Sequence, residues 1–163
     1  MTPQSGKKVD LKVQIVKTMK RRGLTLATAE SITGGGVASA ITDVAGSSAI
    51  FLGSIVAYSD AGKTKFLDIP KRILTKSTAV SEIVAIGMAE SVRKQFGSDF
   101  AIATSGVAGP GKAYGQKAGT VWIAIASKKE TVTIELALSG DRDSIRKATI
   151  ESALACLSRI LIP

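Results

Sequence analysis

Ser31 stands in the run Thr28-Ala29-Glu30-Ser31-Ile32-Thr33-Gly34-Gly35-Gly36, where a short apolar stretch gives way to hydroxyls and glycines. A strand that turns into a helix at such a place exposes backbone N–H groups, and glycines let a ligand come close to them. A serine there can attack a carbonyl or bind a polar group. The chain contains no histidine, so a nucleophilic Ser31 needs another base: lysine, tyrosine or a carboxylate. Tyr58 and Lys63 are the candidates, a desolvated lysine taking the serine proton directly or through the phenol. Spacing alone leaves a second reading open, in which these are a capping serine, a half-buried tyrosine and a surface lysine.

Two other constellations compete. Gly106-Val107-Ala108-Gly109-Pro110-Gly111-Lys112-Ala113 nearly spells a phosphate-cradling loop, but Ala113 replaces the hydroxyl that would hold magnesium, and residues 114–119 do not begin a helix. A nucleoside triphosphatase is therefore set aside. In Ser139-Gly140-Asp141-Arg142 a strand end passes into a helix, Asp141 is a good N-cap and Arg142 can reach a carboxylate or phosphate. Arg146, one turn on, reads equally as a solvated helix face. Gly34-Gly35-Gly36 lacks the spacing and the distant acidic partner of a dinucleotide fingerprint.

Composition narrows the classes further. One cysteine, Cys156, excludes a disulfide framework and reads as a small buried hydrophobe; without histidine or a second cysteine a tight zinc site is disfavoured, a carboxylate-bound magnesium stays open, and the expectation is no metal site and no cofactor. Net charge is +9, but the lysines and arginines are scattered, the tightest group being Lys17, Lys20, Arg21 and Arg22 at a helix end. Aromatic residues are only 4% and do not interleave with basic ones, so nucleic acid is a disfavoured partner. No run approaches the ~18 consecutive apolar residues of a membrane span, and no apolar signal core follows Met1; a cytoplasmic protein without membrane contact is expected.

The elements that must position these residues follow from periodicity. Apolar residues at helical spacing predict a helix over 9–22 stopping at Gly23, then a strand over 24–29, a small-residue helix over 35–44 and a strand over 49–58. A short helix over 61–67 leads into an irregular connection at Ile69-Pro70, and Ser81 begins a helix running to Phe96. A strand over 99–104 precedes a glycine-rich loop over 105–118. Two strands over 119–127 and 130–138 form a hairpin across Lys128-Lys129, and the last helix spans 141–161. This order predicts one domain over residues 1–163, an α/β three-layer α/β/α sandwich with a mixed sheet covered by helices on both faces. Ligands of such sheets gather at strand carboxyl ends, which brings Ser31, Tyr58 and the loop after Thr104 together.

These residues carry a resemblance. Thr28-Ala29-Glu30-Ser31 with Thr33-Gly34-Gly35, Thr42 to Ser48, Ala57-Tyr58-Ser59 with Lys63, Ala79 to Glu82, Thr104 to Pro110, Gly119 to Ala124 and Ser139 to Arg142 form seven blocks in order. The chain thereby resembles the C-terminal domain of the competence/damage-inducible CinA family, the nicotinamide-nucleotide amidases, in its stand-alone form. The resemblance implies hydrolysis of the carboxamide of nicotinamide mononucleotide to nicotinic acid mononucleotide and ammonia. It places the catalytic set on Ser31, Tyr58 and Lys63, with Tyr58 as orienter or relay. It implies nucleotide binding by Thr33, Gly34, Gly35, Ser48, Thr104, Ser105 and Arg142, with backbone N–H groups beside 33–35 as oxyanion donors. The chain departs from the family pattern at Ile32, at Asp60-Ala61-Gly62 and in a shortened loop over 111–118. The alternative to an enzyme is a non-catalytic nucleotide-binding or interaction domain, and apolar terminal helices suggest a homo-oligomer.

Overall fold

Capping residues fix where the helices begin and end. In the computed structural model, which describes residues 10–162, helix α1 (Leu11–Arg22) begins on Asp10, whose side chain accepts from the Lys12 N–H. It stops at Gly23 with φ 63°, the left-handed cap that glycine adopts without steric cost. The last helix, α6 (Arg142–Leu161), begins on Asp141, which accepts from the Ser144 N–H at 2.8 Å. Between them lie β1 (Leu26–Glu30), α2 (Gly36–Thr42), β2 (Phe51–Val56), α3 (Asp60–Leu67), α4 (Lys71–Ser77), α5 (Glu82–Phe96), β3 (Phe100–Gly106), β4 (Thr120–Ala126) and β5 (Thr131–Ala137).

Two elements differ from expectation. The connection after Ile69 is helix α4: Pro70 is its N-cap, where a missing N–H costs nothing, and Leu74 buries it. Strand β3 runs on through Ser105 and Gly106, because pairing with β4 continues to Gly106 opposite Val121.

The five strands form one mixed sheet in the order β2-β1-β3-β4-β5, with β1 parallel to β2 and β3, and β4 antiparallel to β3 and β5. Strand β3 is central, and the β4–β5 hairpin closes one side. Alternation along the strands gives the two faces different side chains. Leu26, Ile102, Ile123 and Ile125 pack with Ile15 and Met19 of α1, Ile41 of α2 and Ile145 and Leu157 of α6. The opposite face is almost all alanine, from Ala27 and Ala29 through Ala101 and Ala103 to Ala124 and Ala126, under Val84, Met88 and Val92 of α5. Each large side chain fully buried in this way contributes about 1.5–3 kcal/mol.

The chain leaves β1 through α2 to reach β2 on one side, then returns through α3, α4 and α5 to β3 on the other. The carboxyl end of β1 is thus the point where the winding reverses, and a crevice opens there. Residues 30–35 occupy it.

Candidate active site

Successive residues of a strand point to opposite faces, and at the end of β1 this separates two buried polar side chains. Glu30 turns toward α2. Its Oε2 accepts from the Thr33 hydroxyl at 2.6 Å and from the N–H groups of Gly35 and Val37 at 3.0 Å each; Oε1 accepts from the Ala38 N–H at 2.8 Å and the Thr28 hydroxyl at 3.1 Å. A carboxylate at a helix start is favoured by both the free N–H groups and the dipole. Since the one proton of Thr33 goes to Glu30, the Thr104 hydroxyl, 2.7 Å away, donates to Thr33. The chain Thr104 to Thr33 to Glu30 is fully buried.

Ser31 turns the other way, toward α3, and is 8% exposed. Ser59 begins that helix, accepting from the Gly62 N–H at 3.0 Å, and one turn later Lys63 is only 1% exposed. Its Nζ lies 3.0 Å from Ser31 Oγ and 3.0 Å from the carbonyl of Ala57. Burial pushes the Lys63 ammonium below the ordinary lysine range, with the nearby charge of Asp60 opposing the shift. In the neutral form Nζ donates to Ala57 and its lone pair is left facing the serine, whose hydroxyl then donates to nitrogen. That is the geometry of a base poised on a nucleophile.

Ser31 opens on a cleft whose walls include Ile32, Tyr58, Gly106, Tyr114 and Arg142. Gly106 is needed for space: a Cβ there would lie 2.9 Å from Ile32 Cδ1 and 2.8 Å from the Thr120 carbonyl. At the rim Arg142, the first residue of α6, donates to the Gly109 carbonyl at 2.7 Å and to the Tyr58 hydroxyl at 2.8 Å. Tyr58 is 58% exposed.

The backbone after Ser31 is held from both sides. The Ser31 N–H donates to Thr104, the Gly34 N–H to the Ser31 carbonyl and the Gly36 N–H to the Thr33 carbonyl. Arg146 spans the turn, donating through Nε to the Ile32 carbonyl at 3.1 Å and through a terminal nitrogen to the Thr33 carbonyl at 3.0 Å. Among the described residues nothing accepts from the N–H groups of Ile32 and Thr33. The peptide joining them has its carbonyl polarised by a guanidinium, which strengthens its N–H as a donor.

With the geometry in place, known proteins supply a context. A family model described as the CinA C-terminal domain matches residues 8–161. The chain belongs to this family. A CinA-like protein of Cytophaga hutchinsonii is 43% identical over 92% of this chain, which spans only 35% of that protein. The nicotinamide-nucleotide amidohydrolase PncC of Escherichia coli is 41% identical, covering 91% of this chain and 92% of its own length. The crystal structure of the competence damage-inducible protein A from Klebsiella pneumoniae superposes with a TM-score of 0.90 at 35% identity, over 93% of this chain and 94% of that one. This chain spans about a third of the length of the first CinA-like relatives, and nearly all of PncC.

Within this CinA C-terminal domain the site residues expected from sequence divide into three groups. Ser31 and Lys63 meet directly, and Tyr58 and Arg142 share the cleft rim. No phenol stands between Ser31 and Lys63, so Tyr58 is displaced from a relay position to the mouth. Thr33, Thr104 and Ser105 face inward, Ser105 donating to the Ala79 carbonyl at 2.6 Å, and the N–H groups of Gly34 and Gly35 are spent on Ser31 and Glu30. Of the N–H groups in this turn, those of Ile32 and Thr33 are left without an acceptor among the described residues. Ser48 lies elsewhere: it is exposed in the turn Ser47–Ala49 before β2, at the end of the parallel strands opposite to Ser31. Sequence reasoning gave no role to Glu30, Tyr114 or Arg146, although Tyr114 lies within the glycine-rich loop over 105–118.

Proposed function

We propose that this domain is a cytoplasmic amidohydrolase that cleaves the carboxamide of a nicotinamide nucleotide, nicotinamide mononucleotide first, with Ser31 as nucleophile and Lys63 as base. The observation that carries this reading is a lysine 1% exposed, 3.0 Å from a serine hydroxyl that opens on a cleft. The 41% identity to a protein named nicotinamide-nucleotide amidohydrolase, over nearly the whole of both chains, supports the substrate class.

In the proposed cycle neutral Lys63 takes the Ser31 proton as Oγ attacks the carboxamide carbon. The oxyanion develops toward the N–H groups of Ile32 and Thr33, where one donor is worth about 3–4 kcal/mol of transition-state stabilisation. Lys63 then passes its proton to the amide nitrogen, which leaves as ammonia, and a water activated by the same amine hydrolyses the acyl-serine to the acid. Arg142, already bridging Tyr58 and Gly109 at the rim, is placed to take the phosphate. The Thr33 and Thr104 side chains and the backbone of Gly34 and Gly35 support the turn, and Ser105 ties to Ala79, so that of this group only the Thr33 N–H meets the nucleotide; no cofactor or metal enters the chemistry.

Among the described residues no helix is long and apolar enough to cross a membrane. Helices α1 and α6 bury most of their apolar residues in the core, while Ile160 of α6 stays exposed; light scattering of the purified chain decides whether the expected homo-oligomer forms. The function itself is tested by ammonia release from nicotinamide mononucleotide in the presence of a chelator, beside Ser31→Ala. Release that persists with chelator and vanishes in the variant is expected; nucleotide binding without release favours the binding-domain alternative.

A further inference from the structure

The chain has two tyrosines, Tyr58 and Tyr114, and both line the cleft that opens on Ser31. Tyr114 reaches it at a conformational cost. Ala113 and Gln116 exchange backbone hydrogen bonds of 3.1 and 2.9 Å, closing a two-residue turn in which Tyr114 has φ 53° and Gly115 φ 71°. Both central residues are left-handed, as in a type I′ turn, where asparagine, aspartate or glycine is preferred at the first position. A bulky side chain is an outlier there, and such strain persists where a function holds it. The ring is moreover 44% exposed, so burial does not explain the choice. Partial burial, then the charge of Asp60 and the second phenol, raise the Tyr114 hydroxyl above its ordinary value, so the ring stays uncharged around neutrality.

We propose that Tyr114 is a specificity-determining residue, its ring face joining that of Tyr58 to receive a flat cationic aromatic ring, the pyridinium that a nicotinamide becomes once its nitrogen carries ribose. A tyrosine face attracts a cation within about 6 Å, and a neutral ring of the same outline lacks that attraction. The cleft lining holds one charged side chain, Arg142, and no carboxylate, so the two tyrosine faces are what the lining itself offers a cation. The inference rests on the amidase reading and names the form of the ring that the site selects.

The test uses Tyr114→Asn, Tyr114→Phe, nicotinamide mononucleotide and its reduced, uncharged dihydropyridine form as a competitor. Asparagine suits the turn, so Tyr114→Asn keeps or raises Tm, yet it loses about tenfold in kcat/KM for the pyridinium nucleotide while the inhibition constant of the reduced form holds. Tyr114→Phe stays within about twofold. A Tyr114→Asn enzyme with unchanged kcat/KM, an equal loss toward both rings, or a lowered Tm overturns the proposal. Calorimetric binding keeps it separate from the amidase reading: should the wild type release no ammonia, a tenfold loss of pyridinium affinity in Tyr114→Asn sustains the proposal and equal affinity overturns it.

Discussion

Glu30 and Lys63 are both buried, both ionisable and both at the carboxyl end of β1, yet their surroundings are opposite. Glu30 has five donors aimed at two oxygens, three of them backbone N–H groups of the α2 turn. Lys63 has two acceptors, a serine hydroxyl and one carbonyl, and no carboxylate within ion-pair distance among the described residues. The first environment satisfies a charge and fixes a shape. The second withholds solvation from the charge and so leaves a proton acceptor. Equal burial does not make equal chemistry: the number and type of hydrogen-bonding partners decide which group holds the fold and which can react.

The comparison is broken most sharply on the reactive side. Ser31→Ala is expected to lower kcat by at least about 10⁴-fold with nucleotide affinity within a few-fold, measured by ammonia release and calorimetry. Full activity in that variant removes Ser31 as nucleophile. Lys63→Met should lower kcat by about 10²–10⁴-fold and leave the fold intact. Its stability adds a second reading. Because the folded-state pKa of Lys63 is lowered, the native protein binds fewer protons than the unfolded chain up to the ordinary lysine pKa. Wild-type stability therefore rises with pH across that window, and any advantage of Lys63→Met in denaturant melts should shrink as pH rises.

On the satisfied side the effect moves from rate to stability. Glu30→Ala leaves buried N–H and O–H groups without acceptors and is expected to cost about 3–4 kcal/mol in urea unfolding. A loss below about 1 kcal/mol would show that water replaces the carboxylate and that the contrast with Lys63 is weaker than drawn. The pH dependence of activity sharpens the pair: kcat/KM should climb with pH and level off below the usual lysine range, following Lys63, and Lys63→Met should flatten that rise. The smallest effect is expected at Arg146. Arg146→Lys keeps a charge but loses the fork that spans two carbonyls, so kcat should fall several-fold with KM nearly unchanged.

How much of this was legible in the sequence depends on whether a signal was local. Caps and periodicity are local, and they locate α1, α5, α6 and the β4–β5 hairpin closely. Helix α4 escapes because Pro70 reads as a break, although proline is as well suited to precede a helix as to end one. The meeting of Ser31 and Lys63 is not local: it requires α3 to fold back over the alanine face, so spacing named Lys63 only as one open candidate and resemblance to other sequences favoured it. Thr33, Thr104 and Ser105 carry hydroxyls that suit a ligand or a neighbour equally, and only the three-dimensional account of their protons assigns them inward. Glu30 stayed hidden because a charged residue between alanine and serine gives no sign of being wholly enclosed.

That enclosed carboxylate has a consequence for what can compete at the site. A helix start beside a glycine run is a natural seat for sulfate or phosphate from solution. Here the seat is taken by a tethered occupant whose effective concentration is that of an intramolecular partner, far above any buffer ion. Inorganic anions should leave the turn after β1 undisturbed, and the nucleophile that this turn carries is set in place before any substrate arrives.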